Sequence, residues 1–94
     1  MIKIDRSVLE NMLNVIEDYR LNKIDLRNLV DSLEGSLSAL EEKLPSEFYN
    51  DWYEHWGELE IILSLGIENA RQEKISRKLI QIESLINNII NPPD

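Results

Sequence analysis

The one histidine of the chain, His55, follows Asp51 by four residues, so the two side chains would share one face of a helix. An imidazole and a carboxylate at this spacing can hold a metal ion together, but a protein zinc site needs three or four ligands. The di-metal motif of helical bundles requires a glutamate three residues before the histidine, and that position holds Trp52. We therefore expect His55 to be structural or exposed, and we predict no metal site.

Other side chains capable of catalysis lack the partners that would activate them. The chain has no cysteine, no glycine-rich phosphate loop and no serine, histidine and aspartate arrangement typical of a hydrolase. Adjacent carboxylates such as Glu41 and Glu42 occur, but acid–base catalysis at neutral pH needs a carboxyl group whose pKa is raised by burial. A helical chain of 94 residues offers little concave volume for such a site. We predict that the protein is not an enzyme and binds no cofactor.

The negative charge is concentrated in the middle of the sequence. Residues 31–68 include ten acidic residues and one basic residue, a net charge of −9, whereas the remainder has eight acidic and nine basic residues. The same segment is rich in large apolar residues, which indicates folded structure rather than a disordered tail. Such a one-sided field favours association with basic partners. It opposes binding to nucleic acid and to anionic lipid, so we expect no direct contact with either.

The elements that must position these residues are helices. Apolar residues recur at the three- and four-residue spacing of amphipathic helices, and no convincing strand pattern occurs. Asp25 is the predicted N-cap of the second helix, Pro45 is expected to end that helix, and Ser46 is the predicted N-cap of the third. We predict an all-α, antiparallel four-helix bundle that forms one domain over residues 1–94. The helices are expected over about 8–21, 26–44, 46–68 and 70–90.

The third predicted helix carries four carboxylates on one face. At about 100° per residue they fall within about 60° of one another and form a row about 16 Å long. We call this row the acidic ridge: Glu47, Asp51, Glu54 and Glu58. No lysine or arginine lies within 46–69, although mixed charges would stabilise the helix better. On the other side, Trp52 and Trp56 are one turn apart and are expected in the core.

Further residues extend this candidate binding surface. Phe48 and Tyr53 lie at the margins of the apolar stripe and are expected to be partly exposed, and exposed aromatics beside carboxylates are typical of binding hot spots. The polar side of the second helix adds four acids: Asp31, Glu34, Glu41 and Glu42. If the second and third helices are antiparallel neighbours, their polar sides would merge. We predict that the ridge, the two aromatics and these four acids bind a partner.

Other interpretations of the charged face remain open. A run of charge on a helix is often only a solvated face. The ridge would alternatively pair within the molecule, with cations of the fourth helix: Arg71, Lys74, Arg77 and Lys78.

The layout of the middle of the chain resembles a known family. Its pattern is IDLRNLVDSLE from Ile24 to Glu34, then Leu40-Glu41, then the segment from Trp52 to Trp56 and Leu59-Glu60. In this layout the chain is similar to small all-helical bacterial immunity proteins of polymorphic-toxin and contact-dependent growth inhibition systems. The resemblance covers about two-thirds of the chain and includes no compact motif, so it transfers no functional residue. It implies a cytoplasmic protein that binds and blocks the C-terminal domain of a cognate toxin, one with a basic surface.

Two other classes of function also fit the sequence. One is an acidic helical regulator or adaptor that self-assembles through an uncovered apolar stripe. The other is a nucleic-acid mimic that binds a basic protein. The lack of cysteine and of an apolar leader segment is consistent with the cytoplasm.

Overall fold

The computed structural model describes residues 6–40 and 44–91, and within these ranges it contains helices and no strand. The elements are α1 (Arg6–Arg20), α2 (Leu26–Ala39), α3 (Ser46–Leu65), a short 3-10 helix (Glu68–Arg71) and α4 (Gln72–Ile90). The predicted all-α fold with four helices is confirmed.

The helices pack in the order in which they follow one another along the chain. The most extensive contacts join α1 to α2 and α3 to α4, so the bundle consists of two helical hairpins. Contacts of α2 with α3 and of α4 with α1 complete the bundle, whose extents are 44 × 25 × 24 Å. Arg20 fastens α1 to α4, because its guanidinium donates to both carboxylate oxygens of Glu83 at 2.7 and 2.5 Å. This pairing raises the pKa of Arg20.

The core is apolar along the whole bundle. No buried residue within the two described ranges is polar or charged. Leu33 of α2, Trp52 of α3 and Ile82 of α4 are fully buried, and the predicted core position of Trp52 is confirmed. Burial of such side chains is the main driving force for folding. It also decides which face of each helix remains in solvent.

The connection between α1 and α2 follows its sequence signals. Asn22 adopts the left-handed conformation, with φ of 61°, which asparagine tolerates better than most residues. The Asp25 carboxylate accepts a hydrogen bond from the backbone N–H of Asn28 at 2.8 Å. Asp25 is therefore the N-cap of α2, as predicted.

The predicted end of α2 is wrong. The helix was expected to reach Leu44, but it ends at Ala39, and the N–H of Leu40 closes its last turn on the carbonyl of Leu37 at 3.1 Å. The leucine spacing continues past this point because Leu44 is buried from outside the helix. A periodic apolar pattern indicates which residues are buried, but it does not show that they are helical. Here Leu44 is buried although it lies in the connection after the helix.

The third helix begins at residue 46, as predicted, but its cap residue differs from the prediction. Ser46 is the first helical residue, and Pro45 occupies the cap position without a side-chain hydrogen bond. The carbonyl of Pro45 accepts from the N–H of Phe48 at 3.0 Å, which starts the helix. Proline serves well here because its fixed φ directs the chain into the first turn.

The connection between α3 and α4 is longer than predicted. Gly66 adopts the left-handed conformation, with φ of 67°, directly after Leu65. The N–H of Gly66 donates to Leu63 O at 3.1 Å, and that of Ile67 donates to Ile62 O at 3.2 Å. This double hydrogen bond is the Schellman motif that ends many helices. The predicted third helix over 46–68 was therefore three residues too long, and α4 begins at Gln72 instead of residue 70.

Candidate protein-binding face

The acidic ridge lies on α3, which is anchored through its inner side. Trp52, Leu59 and Ile62 are buried and leave the opposite side of the helix free. Three members of the ridge are exposed and the fourth, Glu58, is partly exposed. The helix thus holds the ridge carboxylates in a row on a firmly packed element.

One ridge residue pairs within the molecule. The Nζ of Lys74 lies 3.0 Å from Glu58 Oε2, and this hydrogen bond lowers the pKa of Glu58, with a further contribution from the charge of Lys74. The alternative of internal pairing with α4 therefore applies to Glu58. A solvent-exposed pair of this kind contributes little to stability.

The remaining ridge carboxylates have no such partner. The contacts of Glu58 with Lys74 and of His55 Nδ1 with Lys78 Nζ, at 3.5 Å, set the antiparallel register of α3 and α4. Farther toward the start of α3, the ridge lies beside the part of α4 after Lys78, which contains no lysine or arginine. Within 6–40 and 44–91, no ion pair involves the three exposed members, Glu47, Asp51 and Glu54. Their negative charge is available to an external partner.

His55 lies partly buried on the edge of α3 that faces α4, with Lys78 beside it. A lysine next to the imidazole repels a second cation. Among the residues that the structure describes, no group of three or more histidine or acidic side chains is placed to hold a metal ion. The geometry of His55 is that of a packing residue between two helices.

The aromatic residues of α3 form a connected cluster. Trp52 and Trp56 stack with their ring centroids 5.6 Å apart and an interplanar angle of 18°. Trp56 Nε1 donates to the carbonyl of Val30 at 3.0 Å and so fixes α3 against α2. Tyr53 meets both indoles edge-on at 5.2 and 6.0 Å, and it is 50% exposed. The predicted exposure of Tyr53 is confirmed, and its ring packs against the indoles of Trp52 and Trp56.

The predicted exposure of Phe48 is wrong. Its side chain is only 5% exposed and meets the ring of Tyr49 edge-on at 5.6 Å. A helical wheel gives only the direction of a side chain, and phenylalanine is long enough to reach the core from the margin of the apolar stripe. Phe48 is therefore not a surface anchor for a partner.

Two apolar residues on the outer side of α3 were missed by the sequence prediction. Ile61 is 54% exposed and Leu65 is 64% exposed. They follow Glu54 and Glu58 by seven residues, or about two helical turns, so they continue the line of the ridge. The seven-residue spacing from Glu54 and Glu58 could have revealed them. A shallow depression nearby is lined by Gly57, Glu60, Ile61, Ser64 and Leu65.

Two of the four acids predicted to extend the surface from the second helix belong to the described residues. Asp31 and Glu34 are exposed, whereas Glu41 and Glu42 lie outside the described residues. Glu34 comes one turn after Val30, which contacts Trp56, and one turn before Ser38, which lines a cleft of about 680 Å³ between α2 and α3. This cleft is also lined by Leu37, Leu44, Ser46, Tyr49, Asn50 and Tyr53. Glu34 therefore lies close to the side of α2 that faces α3.

Comparisons with known proteins leave the function to be argued from this geometry. No family model matches the chain, and no curated protein or solved structure matches it. Over the described ranges, none of the helices combines the length and the apolar character that crossing a lipid bilayer requires.

Proposed function

We propose that this protein is an immunity protein that binds a cognate bacterial toxin domain through the outer side of α3 and blocks it. The observation that carries the proposal is the exposed, cation-free part of the acidic ridge. Glu47, Asp51 and Glu54 are held in a row on a buried helix, and no ion pair satisfies them within the described residues. Mutual repulsion at this spacing costs a few tenths of a kcal/mol per pair. Lysine or arginine from a partner would relieve that cost.

The proposed mode of inhibition needs no chemistry on this chain. A toxin domain that acts on nucleic acid presents a basic cleft, because it must hold phosphates. An acidic helix that covers the cleft, or a surface beside it, excludes the substrate by its bulk and its charge. The field of the ridge also speeds encounter with a basic surface. Because the inhibitor carries out no reaction, its affinity for the toxin domain determines how completely the toxin is blocked.

The first test is capture of the partner from the native cell extract by the tagged protein, at low and at moderate salt. A single stoichiometric partner, the basic C-terminal domain of a large toxin, is the expected result. Several weak basic partners that are lost at moderate salt would favour the nucleic-acid mimic instead. Self-association without a partner would favour the adaptor.

A pair of charge reversals then tests the face itself. We expect the double substitution Asp51→Lys and Glu54→Lys to weaken binding of the captured toxin domain at least tenfold, about 1.4 kcal/mol. Glu10→Lys with Glu73→Lys is the matched control, because both glutamates are exposed, on α1 and α4, and the change in net charge is the same. Equal weakening by both pairs would show that only net charge matters. Unchanged affinity in the first pair would remove the ridge from the interface.

A further inference from the structure

The outer side of α3 has an apolar strip beside the ridge. Five large hydrophobic residues of the described chain are at least half exposed, and three of them are on α3: Tyr53, Ile61 and Leu65. They extend over about 18 Å, or slightly more than three helical turns. Scattered exposed apolar residues are ordinary, but a concentration on one helix face marks an interaction surface. We call these three residues, together with Gly57, the outer strip.

Gly57 makes a gap in the middle of this strip. It lies one turn after Tyr53 and one turn before Ile61, well inside α3. A Cβ atom added at Gly57 would meet nothing within 4 Å, so packing within the bundle does not require glycine there. Glycine also disfavours a helix relative to alanine. What it provides at this position is room for another backbone to come close to the axis of α3.

Carboxylates border the gap on both sides. Glu54 precedes Gly57 by three residues and Glu60 follows it by three, which places them about 60° to either side on the helix. Both are exposed, and neither takes part in an ion pair within the described residues. An apolar contact flanked by the ridge on one side and by Glu60 on the other fits a partner with an apolar stripe and basic flanks.

We infer that the outer strip binds an amphipathic α-helix of the partner that carries lysine or arginine on both sides of its apolar stripe and crosses α3 at Gly57. This inference rests on the proposed function and specifies the element of the toxin domain that α3 recognises. A second copy of this chain fits the strip poorly, because α3 carries no lysine or arginine, so like charges would face each other. A helix suits the strip because its length matches three turns and because close crossing at glycine is a property of helix pairs.

The direct test uses a synthetic peptide as the probe. We would measure binding of a capped fourteen-residue peptide with a leucine and alanine stripe flanked by lysines, using calorimetry and amide chemical shifts. A peptide of the same composition with a central proline tests the need for a helix. We expect saturable binding of the first peptide, shifts centred on 53–65, and at least tenfold weaker binding of the second. Absence of saturable binding, equal binding of both peptides, or shifts centred elsewhere would overturn the inference.

Two glycine substitutions supply the variant and its control. Gly57→Gln fills the gap with a polar side chain that favours a helix, whereas Gly35→Gln makes the same change at an exposed glycine within α2, where an added Cβ also meets nothing within 4 Å. We expect both proteins to stay folded, with binding weakened at least tenfold by Gly57→Gln and less than twofold by Gly35→Gln. Unchanged peptide binding by Gly57→Gln would overturn the crossing at this residue. If the unmodified protein forms a dimer and Gly57→Gln dissociates it, a second copy occupies the strip, and the inference of a partner helix is overturned.

Failure of this inference can be told from failure of the proposed function. If Gly57→Gln leaves capture of a toxin domain intact while the ridge reversal abolishes it, the immunity function stands and the helix-binding strip is wrong. If Gly57→Gln abolishes binding of the lysine peptide but no toxin domain is captured, the strip stands and the immunity function is wrong.

Discussion

Tyr19 is the residue whose acidity the fold changes most. Its hydroxyl donates to Glu68 Oε2 at 2.7 Å and so ties the end of α1 to the 3-10 helix before α4. Burial, the larger cause, and the hydrogen bond to Glu68 together raise the pKa of Tyr19 from 10.0 to about 12. Both causes act in the same direction, because a phenolate would lose solvent and face a carboxylate.

The stability of the protein in alkali should depend on this phenol. The unfolded chain releases the Tyr19 proton near pH 10 and the folded protein near pH 12. The contribution is therefore complete below pH 10 and is lost as the pH rises through the folded value. We expect Tyr19→Phe to show a shallower loss of unfolding free energy between about pH 10 and about pH 12. Urea unfolding across this range measures it, and parallel curves for the two proteins would contradict the assignment.

Trp56 offers a second test at the level of one side chain. Trp56→Phe removes the hydrogen bond to the carbonyl of Val30 and part of the indole surface stacked on Trp52, and we expect it to lower the free energy of unfolding by at least about 1 kcal/mol. Tyr53→Phe is the control, because the half-exposed Tyr53 hydroxyl has no hydrogen-bond partner within the described part of the chain. Denaturant unfolding should separate the two variants. A similar small effect of both would show that the Trp56 bond adds little.

Which carboxylates are free could be predicted from the sequence only in part. Helical periodicity alone places the ridge residues on one face. The pairing of Glu58 with Lys74 depends on the register between two helices, and a wheel drawn for one helix carries no information about it. The burial of Phe48 and the exposure of Ile61 were not predicted for a related reason. Burial depends on the reach of a side chain and on the neighbouring helix. The candidate surface thus gained two apolar residues, Ile61 and Leu65, and lost one, Phe48.

At the scale of elements, the interiors of the helices were easier to predict than their ends. The apolar stripes of all four helices are read directly from three- and four-residue spacing. The end of α2 was misplaced because Leu40 and Leu44 continue the spacing after the helix stops at Ala39. The end of α3 was marked by Gly66, a residue type that often ends helices in the left-handed conformation. Local backbone chemistry was the better guide there than periodicity.

Gly57 inside α3 and Gly66 directly after it should respond oppositely to the same substitution. Gly57→Ala adds a methyl group in open space inside a helix, and we expect the free energy of unfolding to rise by about 0.5–1 kcal/mol. Gly66→Ala forces a Cβ onto a left-handed residue, and we expect a loss of about 1 kcal/mol. Thermal or urea unfolding of both variants provides the comparison. Changes of equal sign would mean that the helix boundary at Leu65 is misplaced.

At the scale of the whole molecule, the net charge opposes self-association, whereas the outer strip favours it. The chain carries −8 at neutral pH, and repulsion between copies opposes contact through Tyr53, Ile61 and Leu65. Near the isoelectric point of about 4.6 this repulsion disappears. We expect self-association there, measured by sedimentation, and we expect Ile61→Ser with Leu65→Ser to reduce it. Far-ultraviolet circular dichroism at each pH checks that the helices persist, and association unaffected by the double substitution would rule out the strip as the contact.

The stacked indoles of Trp52 and Trp56 have an optical consequence. Two aromatic chromophores held 5.6 Å apart in a fixed, asymmetric arrangement couple their electronic transitions, and the coupling changes with small shifts of either ring. Tyr53 is half exposed and makes a T-shaped contact with each of the two indoles. Pressure on that tyrosine from a docked molecule would therefore be transmitted to the indole pair. The near-ultraviolet dichroism of the unlabelled protein becomes an intrinsic sensor, able to distinguish an occupied from an empty surface in a molecule that stays fully folded.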